Sequence, residues 1–322
     1  MKAIVVHEAG GPENLVIEQV PDPEPGPEDV LVEVESAGLN FIDTYHRGGL
    51  YPVDLPFTPG IEGAGTVIEI GEEVSEIEVG DKVGWVNALG TYASRQVVPA
   101  ESAIPIPDDL ELDVAAAVLL QGMTAHYLAS DTFPVSRGDN CLIHAGAGGV
   151  GLLLTQIARM NDAYIITTVG SREKAELSRA AGADEVILYT ETDFQEAVED
   201  LLGPNEIHVV FDGVGAATFE RGLDVLRPRG MMVTFGNASG PVPEISPLIL
   251  AGKGSLFLTR PTMAHYVQTR KELLARANDL FDWITAGNLE VRIGAEFPLE
   301  QAADAHRALE GRQTTGKVLL HP

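Results

Sequence analysis

At 322 residues, 45 % of them hydrophobic and 21 % charged, the chain has room for about two domains with a packed core, which excludes a disordered chain. Its 48 acidic and 21 basic residues leave a net charge of −27, spread along the whole length, so nucleic acid and anionic membranes are poor partners. One cysteine excludes an intrachain disulfide and any cysteine-rich zinc site.

In chain order, residues 1 to about 120 read as β-rich. Lys2–His7, Leu15–Val20, Asp29–Ser36 and Gly63–Ile70 alternate or are β-branched, and clusters such as PDPEPGPED separate them. Shorter strands are expected at Lys82–Val86 and Tyr92–Val98, and the spacing suggests a compact barrel-like β unit. From Val114 the pattern turns helical (VAAAVLLQGMTAHYLAS), with Asp113 placed as an N-cap.

Strands and helices then alternate. Cys141–Ala145 leads to a helix over 150–160, Tyr164–Val169 to Ser171–Ala181, Glu185–Tyr189 to Asp193–Leu202 and His208–Asp212 to Phe219–Leu226. Met231–Gly236 and Ser255–Thr259 complete six strands, the pattern of a doubly wound parallel sheet. A long helix over Arg270–Ala286, a strand at Val291, a helix Leu299–Glu310 and a strand Lys317–Leu320 make up a tail. It does not extend the sheet and is expected to return to the first domain.

The stretch CLIHAGAGGVG (141–151) is the strongest functional signal. Gly146, Gly148 and Gly151 fit G-x-G-x-x-G between an apolar strand and a helix, where unpaired N–H groups and the helix dipole face an approaching pyrophosphate. The end of the second strand sets phosphate choice. An NAD site places Asp or Glu there, whereas this chain has Gly170-Ser171-Arg172-Glu173-Lys174. Lysine is scarce (2, 82, 174, 253, 271, 317), which favours a functional, charge-pairing Lys174 over a solvated one, while Arg172 can equally face water. Scarce lysine with dispersed acid is also the pattern expected of a protein adapted to molar salt. Cys141 lies inside a strand and reads as core.

With these motifs in place the chain resembles the zinc-independent quinone oxidoreductases of the medium-chain dehydrogenase/reductase superfamily. GLNFIDTYHRGGLYP (38–52), PGIEGAGTV (59–67), GDKVGW (80–85), HAGAGGVG (144–151), FDGVG (211–215), FGNASG (235–240), SLFLTRP (255–261) and TTGKVLL (314–320) follow the family's order from end to end. The resemblance implies an α/β protein with a GroES-like β domain from residues 1–121 and 262–322, and a Rossmann NADPH-binding domain at 122–261. Zinc-dependent relatives carry a cysteine ligand where this chain has Asn40, and Gly-His-Glu where it has Gly60-Ile61-Glu62. No zinc set can be assembled from the sequence, and the eight histidines read as structural or surface residues.

The resemblance further implies cofactor contacts from Asn40, Thr124, Ala147, Gly148, Gly149, Val150, Gly170, Ser171, Lys174, Tyr189, Val214, Gly236, Asn237, Arg260 and Arg312. Gly236-Asn237 also reads as an ordinary strand-end turn. Tyr45, in the loop Asn40–Leu50, faces the nicotinamide on this reading. Tyr45 and Asn40 are the catalytic candidates, the phenol giving a hydrogen bond or proton to the acceptor's oxygen. The expected activity is NADPH-dependent quinone reduction, with the acceptor between nicotinamide and β domain. Reduction of an enone or alkenal double bond and a non-enzymatic NADPH-binding role are the alternatives. Ser255–Thr259 is expected to pair with its copy in a homodimer. No apolar run reaches the roughly 18 residues of a membrane helix, the N-terminus shows no signal-peptide pattern, and a cytoplasmic location is the default.

Overall fold

The structure, a computed structural model, describes every residue from Met1 to Pro322. The chain divides into two compact units, Met1–Met123 with Val267–Pro322, and Thr124–Tyr266.

The first unit opens with the antiparallel pair β1 (Lys2–Val5) and β2 (Val16–Gln19). Strand β3 (Asp29–Leu39) is the hub of a larger sheet: buried and exposed residues alternate from Val32 to Ser36, and its last four residues are all buried. Helix α1 (Phe41–Gly48), β4 (Glu62–Ile70), β5 (Lys82–Val86), β6 (Arg95–Pro99), β7 (Ile104–Pro105) and α2 (Leu112–Tyr127) follow. Strand β3 pairs antiparallel with both β4 and β6, and Val30, Val32, Val67, Val83, Trp85 and Val98 fill the core these strands share.

In the second unit six parallel strands form one sheet: β8 (Asn140–His144), β9 (Tyr164–Val169), β10 (Glu185–Leu188), β11 (Ile207–Asp212), β12 (Leu226–Thr234) and β13 (Phe257–Thr259). Its order is β10-β9-β8-β11-β12-β13, so strand order reverses beside β8, where doubly wound sheets open their ligand crevice. The connections are α3 (Gly149–Met160), α4 (Arg172–Ala180), α5 (Phe194–Leu202), α6 (Phe219–Asp224) and α7 (Leu248–Gly252). Leu142, Ile166, Val210 and Met232 on the strands pack with Phe194 and Val198 of α5 and Phe219 and Leu223 of α6.

The tail rejoins the first unit through α8 (Arg270–Thr285), β14 (Ile293–Pro298), α9 (Ala302–Glu310) and β15 (Lys317–His321). Strand β15 pairs antiparallel with the end of β3, Val318 opposite Leu39, while β14 lies parallel to β15. Val318, Leu320, Ala302 and Ala305 thereby share a core with Ile4, Val6, Leu39 and Tyr92.

Four sequence expectations are corrected. Residues 40–50 are not a loop: α1 occupies Phe41–Gly48, started by the Asn40 N–H donating to Asp43 Oδ2 at 2.8 Å and ended by Gly49 at φ +79°. Asp113 is no N-cap, because α2 begins at Leu112 and the Asp113 carboxylate accepts from the Ser36 hydroxyl on β3. The strand over Tyr92–Val98 begins only at Arg95, since the Tyr92 backbone bonds elsewhere, its N–H donating to the Pro59 carbonyl and its carbonyl accepting from the Ile4 N–H. One segment, Leu112–Thr132, is long and apolar enough to cross a membrane by length and composition, and 72 % of its most apolar window is buried within the fold.

Candidate active site

The candidate nucleotide residues of the second unit gather at the C-terminal ends of its strands. After β8, Ala145 at φ +56° turns the chain back, and the Gly148 N–H closes the turn on the Ala145 carbonyl at 2.9 Å. Gly148 is the N-cap of α3 and offers no side chain, so no side chain satisfies the N–H groups of the first turn, Gly149 and Val150 included. A Cβ on Gly151 would sit 2.3 Å from the Ala145 carbonyl oxygen, and one on Gly146 would sit 2.5 Å from Thr167 Cβ on β9. Two glycines therefore set how closely turn, helix and sheet approach, and the first-turn N–H groups are left for an anion.

One strand over, Gly170 follows β9 and Tyr189 follows β10. The Tyr189 hydroxyl lies 2.5 Å from where a Gly170 Cβ would be, so the ring lies directly over that glycine. Ser171 caps α4, its Oγ accepting from the Lys174 N–H at 3.3 Å, and this brings Lys174 onto the first turn of the same helix. Arg172 points outward and is paired with Glu191 at 3.4 Å, the water-facing alternative read from the sequence.

The turns after β11 and β12 interlock. Asp212, fully buried, accepts from the N–H groups of Val214 (2.7 Å) and Gly215 (3.1 Å) and from the Thr218 hydroxyl (2.9 Å). Ser239 N–H donates to the Val214 carbonyl at 2.8 Å, and a Cβ on Gly236 would meet the Gly213 carbonyl oxygen at 2.3 Å. Val214, Gly236 and Asn237 are thus brought together, and an Arg260 N–H just past β13 reaches the Gly236 carbonyl at 3.5 Å. Sequence reasoning missed Asp212, although an acid ending an apolar strand before Gly-Val-Gly is a legible turn signal. Buried Cys141 lies in β8 with its thiol pushed up by burial, which fits a core residue.

In the first unit Asn40 and Tyr45 lie at the start and middle of α1, and Thr124, the first residue of the second unit, is mostly buried near the end of α2. The Tyr45 ring packs edge-on against Tyr51 with centroids 5.3 Å apart and lies 6.4 Å from the Phe41 ring. Arg312 lies just past the C-terminal end of α9 and is exposed. Asn40 is buried among residues that the sequence reading did not assign. Its Nδ2 donates to Glu62 Oε2 (2.7 Å) and to the Gly38 carbonyl (3.1 Å); its Oδ1 accepts from Lys317 Nζ (2.9 Å) and Gln121 Nε2 (3.2 Å).

A second buried network holds α1 itself. Arg47 Nη1 donates to His306 Nδ1 (3.0 Å), so Nε2 carries the imidazole proton and donates to the Tyr92 hydroxyl (3.2 Å), which donates to Asp43 Oδ2 (3.0 Å). Burial pushes the Asp43 carboxyl up to about 7, against the hydrogen bonds from Asn40 N–H and Tyr92. Burial, helped by the Arg47 charge, pushes His306 down to about 3, and burial drives the Tyr92 phenol well above its usual range. Arg47 also forks onto Glu310 at 2.7 and 3.0 Å, tying the C-terminal end of α1 to α9.

Known proteins match this arrangement along the whole chain. A quinone oxidoreductase of Pseudomonas aeruginosa is 44 % identical over 315 residues, covering 97 % of each chain. The chain belongs to the quinone oxidoreductase family. A 2-haloacrylate reductase of Burkholderia is 42 % identical and covers 99 % of this chain and 98 % of its own. The crystal structure of Escherichia coli quinone oxidoreductase complexed with NADPH superposes with a TM-score of 0.98 at 41 % identity over the full length of both chains. The alcohol dehydrogenase GroES-like domain profile matches residues 26–108, and the zinc-binding dehydrogenase profile matches residues 181–320.

Zinc does not fit the residues of this family member where its zinc-dependent relatives carry their ligands. Both oxygens of Glu62 are engaged, Oε1 by the Leu120 N–H (2.6 Å) and Oε2 by Asn40 and Lys317, and an ammonium lies where a second carboxylate, thiolate or imidazole would be needed. Elsewhere Asp113, Glu296 and His321 bring ligand atoms within 4.8 Å of one another, a grouping that sequence spacing did not reveal. His321 is already spent there, its Nε2 on Glu296 (3.0 Å) and its Nδ1 on Ser36 (3.2 Å).

Proposed function

We propose that this chain is an NADPH-dependent quinone reductase that works without metal. The observation that carries the reading is the strand-end edge of the second unit. There an uncapped helix N-terminus follows a glycine turn, and the next strand ends in Gly170-Ser171 under Tyr189 instead of an acid. The full-length relatives named quinone oxidoreductase, and the one solved with NADPH, support the same assignment.

In this reading the α3 N–H groups bind the pyrophosphate, and Ser171, Lys174 and Tyr189 hold the 2′-phosphate through charge-assisted hydrogen bonds. The interlocked turns at Val214 and Gly236-Asn237, with Arg260, Thr124 and Arg312, complete the contacts. Bound NADPH supplies the hydride. Tyr45 gives a proton or hydrogen bond to the acceptor oxygen that takes the electrons, and Asn40 fixes the start of its helix. The remaining catalysis is orientation.

Reduction of an activated C=C bond is the second reading, favoured by the likeness to the 2-haloacrylate reductase. Parallel panels of quinones and of 2-haloacrylates or alkenals, with NADPH oxidation as the readout, separate the two. Turnover confined to the alkene panel, with no quinone reduced, would reverse the assignment. We further propose a homodimer through the edge strand β13, where Phe257 is 57 % and Leu258 36 % exposed. Light scattering should give twice the chain mass, and a monomer would refute the pairing.

A further inference from the structure

The cluster around Asn40 is built to hold one amide in one orientation. An asparagine side chain has two donor hydrogens and two acceptor lone pairs. Here all four are used, the donors on Glu62 and Gly38 and the acceptors by Lys317 and Gln121. Turning the amide over would set its NH₂ against the Lys317 ammonium and its carbonyl against the Glu62 carboxylate, which loses both charge-assisted bonds at once. Lys317 and Glu62 are 1 % and 0 % exposed, and taking two charges out of water gives little net stability compared with apolar residues of the same volume. Room is kept for the pair as well: a Cβ on Gly38 would lie 2.5 Å from Glu62 Oε2 and 2.7 Å from Lys317 Cε.

We propose that Lys317 and Glu62 are positioning residues for the reduction, acting through Asn40: they lock its amide and so fix the point from which the Tyr45 helix starts. The proposal rests on the reading of Asn40 and Tyr45 given above. Three chain segments meet in the lock. Lys317 opens β15, Glu62 opens β4 and Asn40 follows β3, so an ion pair between residues 255 apart in sequence determines a side-chain orientation at α1.

The test is a double-mutant cycle on kcat at saturating NADPH and quinone, with melting temperature read alongside. Lys317→Met should lower kcat about tenfold, the effect of one lost charge-assisted hydrogen bond. Asn40→Ala should lower it by a similar factor, and adding Lys317→Met to Asn40→Ala should lower it no further, with the melting temperature recording any separate loss of stability. Lys317→Arg, which keeps the cation, should retain more activity than Lys317→Met. If Lys317→Met does not fold, Glu62→Gln takes its place in the same cycle. Losses in kcat that multiply in the double variant, or a Lys317→Met enzyme with unchanged kcat beside an impaired Asn40→Ala, would overturn the positioning role alone. An Asn40→Ala enzyme with full kcat would remove the assignment of Asn40 and the positioning role together.

Discussion

Tyr92→Phe probes the network that holds α1, and its effect can be worked out from the geometry. The hydroxyl is fully buried, takes the His306 Nε2–H at 3.2 Å and gives its own proton to Asp43 at 3.0 Å. Removing it orphans one buried donor, at roughly 1–3 kcal/mol, and strips Asp43 Oδ2 of one of its two hydrogen bonds, at about 1 kcal/mol, a total loss of about 2–4 kcal/mol. For a unit of this size that is a fall in melting temperature of roughly 5–10 °C. The pH dependence carries the mechanism. Asp43, raised to about 7 in the fold from 3.8, makes the folded state bind the extra proton, so its contribution to stability falls as pH rises through that window. Tyr92 supports the charged form, so its removal extends the fall above neutrality. The gap between wild type and Tyr92→Phe should therefore widen from about pH 5.5 to about pH 8.5, and Asp43→Asn in both backgrounds should abolish the widening. Thermal scans across that range measure it. A gap that stays constant with pH would mean that Tyr92 does not donate to Asp43.

Three further outcomes are expected. Gly151→Ala places a Cβ 2.3 Å from a backbone carbonyl and must open the nucleotide turn, so NADPH affinity read by nucleotide fluorescence should drop at least about tenfold; unchanged affinity would contradict the anion site. His306, neutral in the fold with its value pushed down to about 3, makes the unfolded state bind more protons below the ordinary histidine range. Stability should then fall from neutral pH towards about pH 5 more steeply in wild type than in His306→Gln, as followed by melting temperature. With a net charge of −27, melting temperature should rise from about 0.01 M to about 1 M KCl as the screening length shrinks from roughly 30 Å to roughly 3 Å, and a flat curve would refute adaptation to salt.

The parallel sheet and its turn were legible because strand, glycine cluster and helix follow one another within residues 140–160, where local pattern and tertiary role coincide. The Gly170-Ser171 strand end was legible for the same reason, whereas Tyr189 came only from the family resemblance. What escaped is non-local. Lys317 sits in the apolar strand KVLLH and Glu62 at the head of the glycine-rich strand EGAGTVIEI, and each reads as an anomaly with no partner in view until the chain ends meet. Asp43, Tyr92 and His306 likewise belong to three distant segments joined by hydrogen bonds. The helix over 41–48 escaped for a different reason: its capping by Asp43 three residues after Asn40, and the glycine stop at 48–49, were present but outweighed by the polar, loop-like composition around them.

In the proposed reading the second unit recognises the 2′-phosphate of NADPH and delivers its reducing equivalents to a quinone. The most direct measurement is the rate of benzoquinone-dependent oxidation of NADPH and of NADH, titrated in parallel for wild type and Lys174→Ala. Wild type should favour NADPH. Lys174→Ala should weaken NADPH by roughly 10- to 150-fold, the range for one hydrogen bond to a charged group, and leave NADH nearly unchanged. Equal weakening of both nucleotides, or a wild-type enzyme that uses NADH as well as NADPH, would contradict the site.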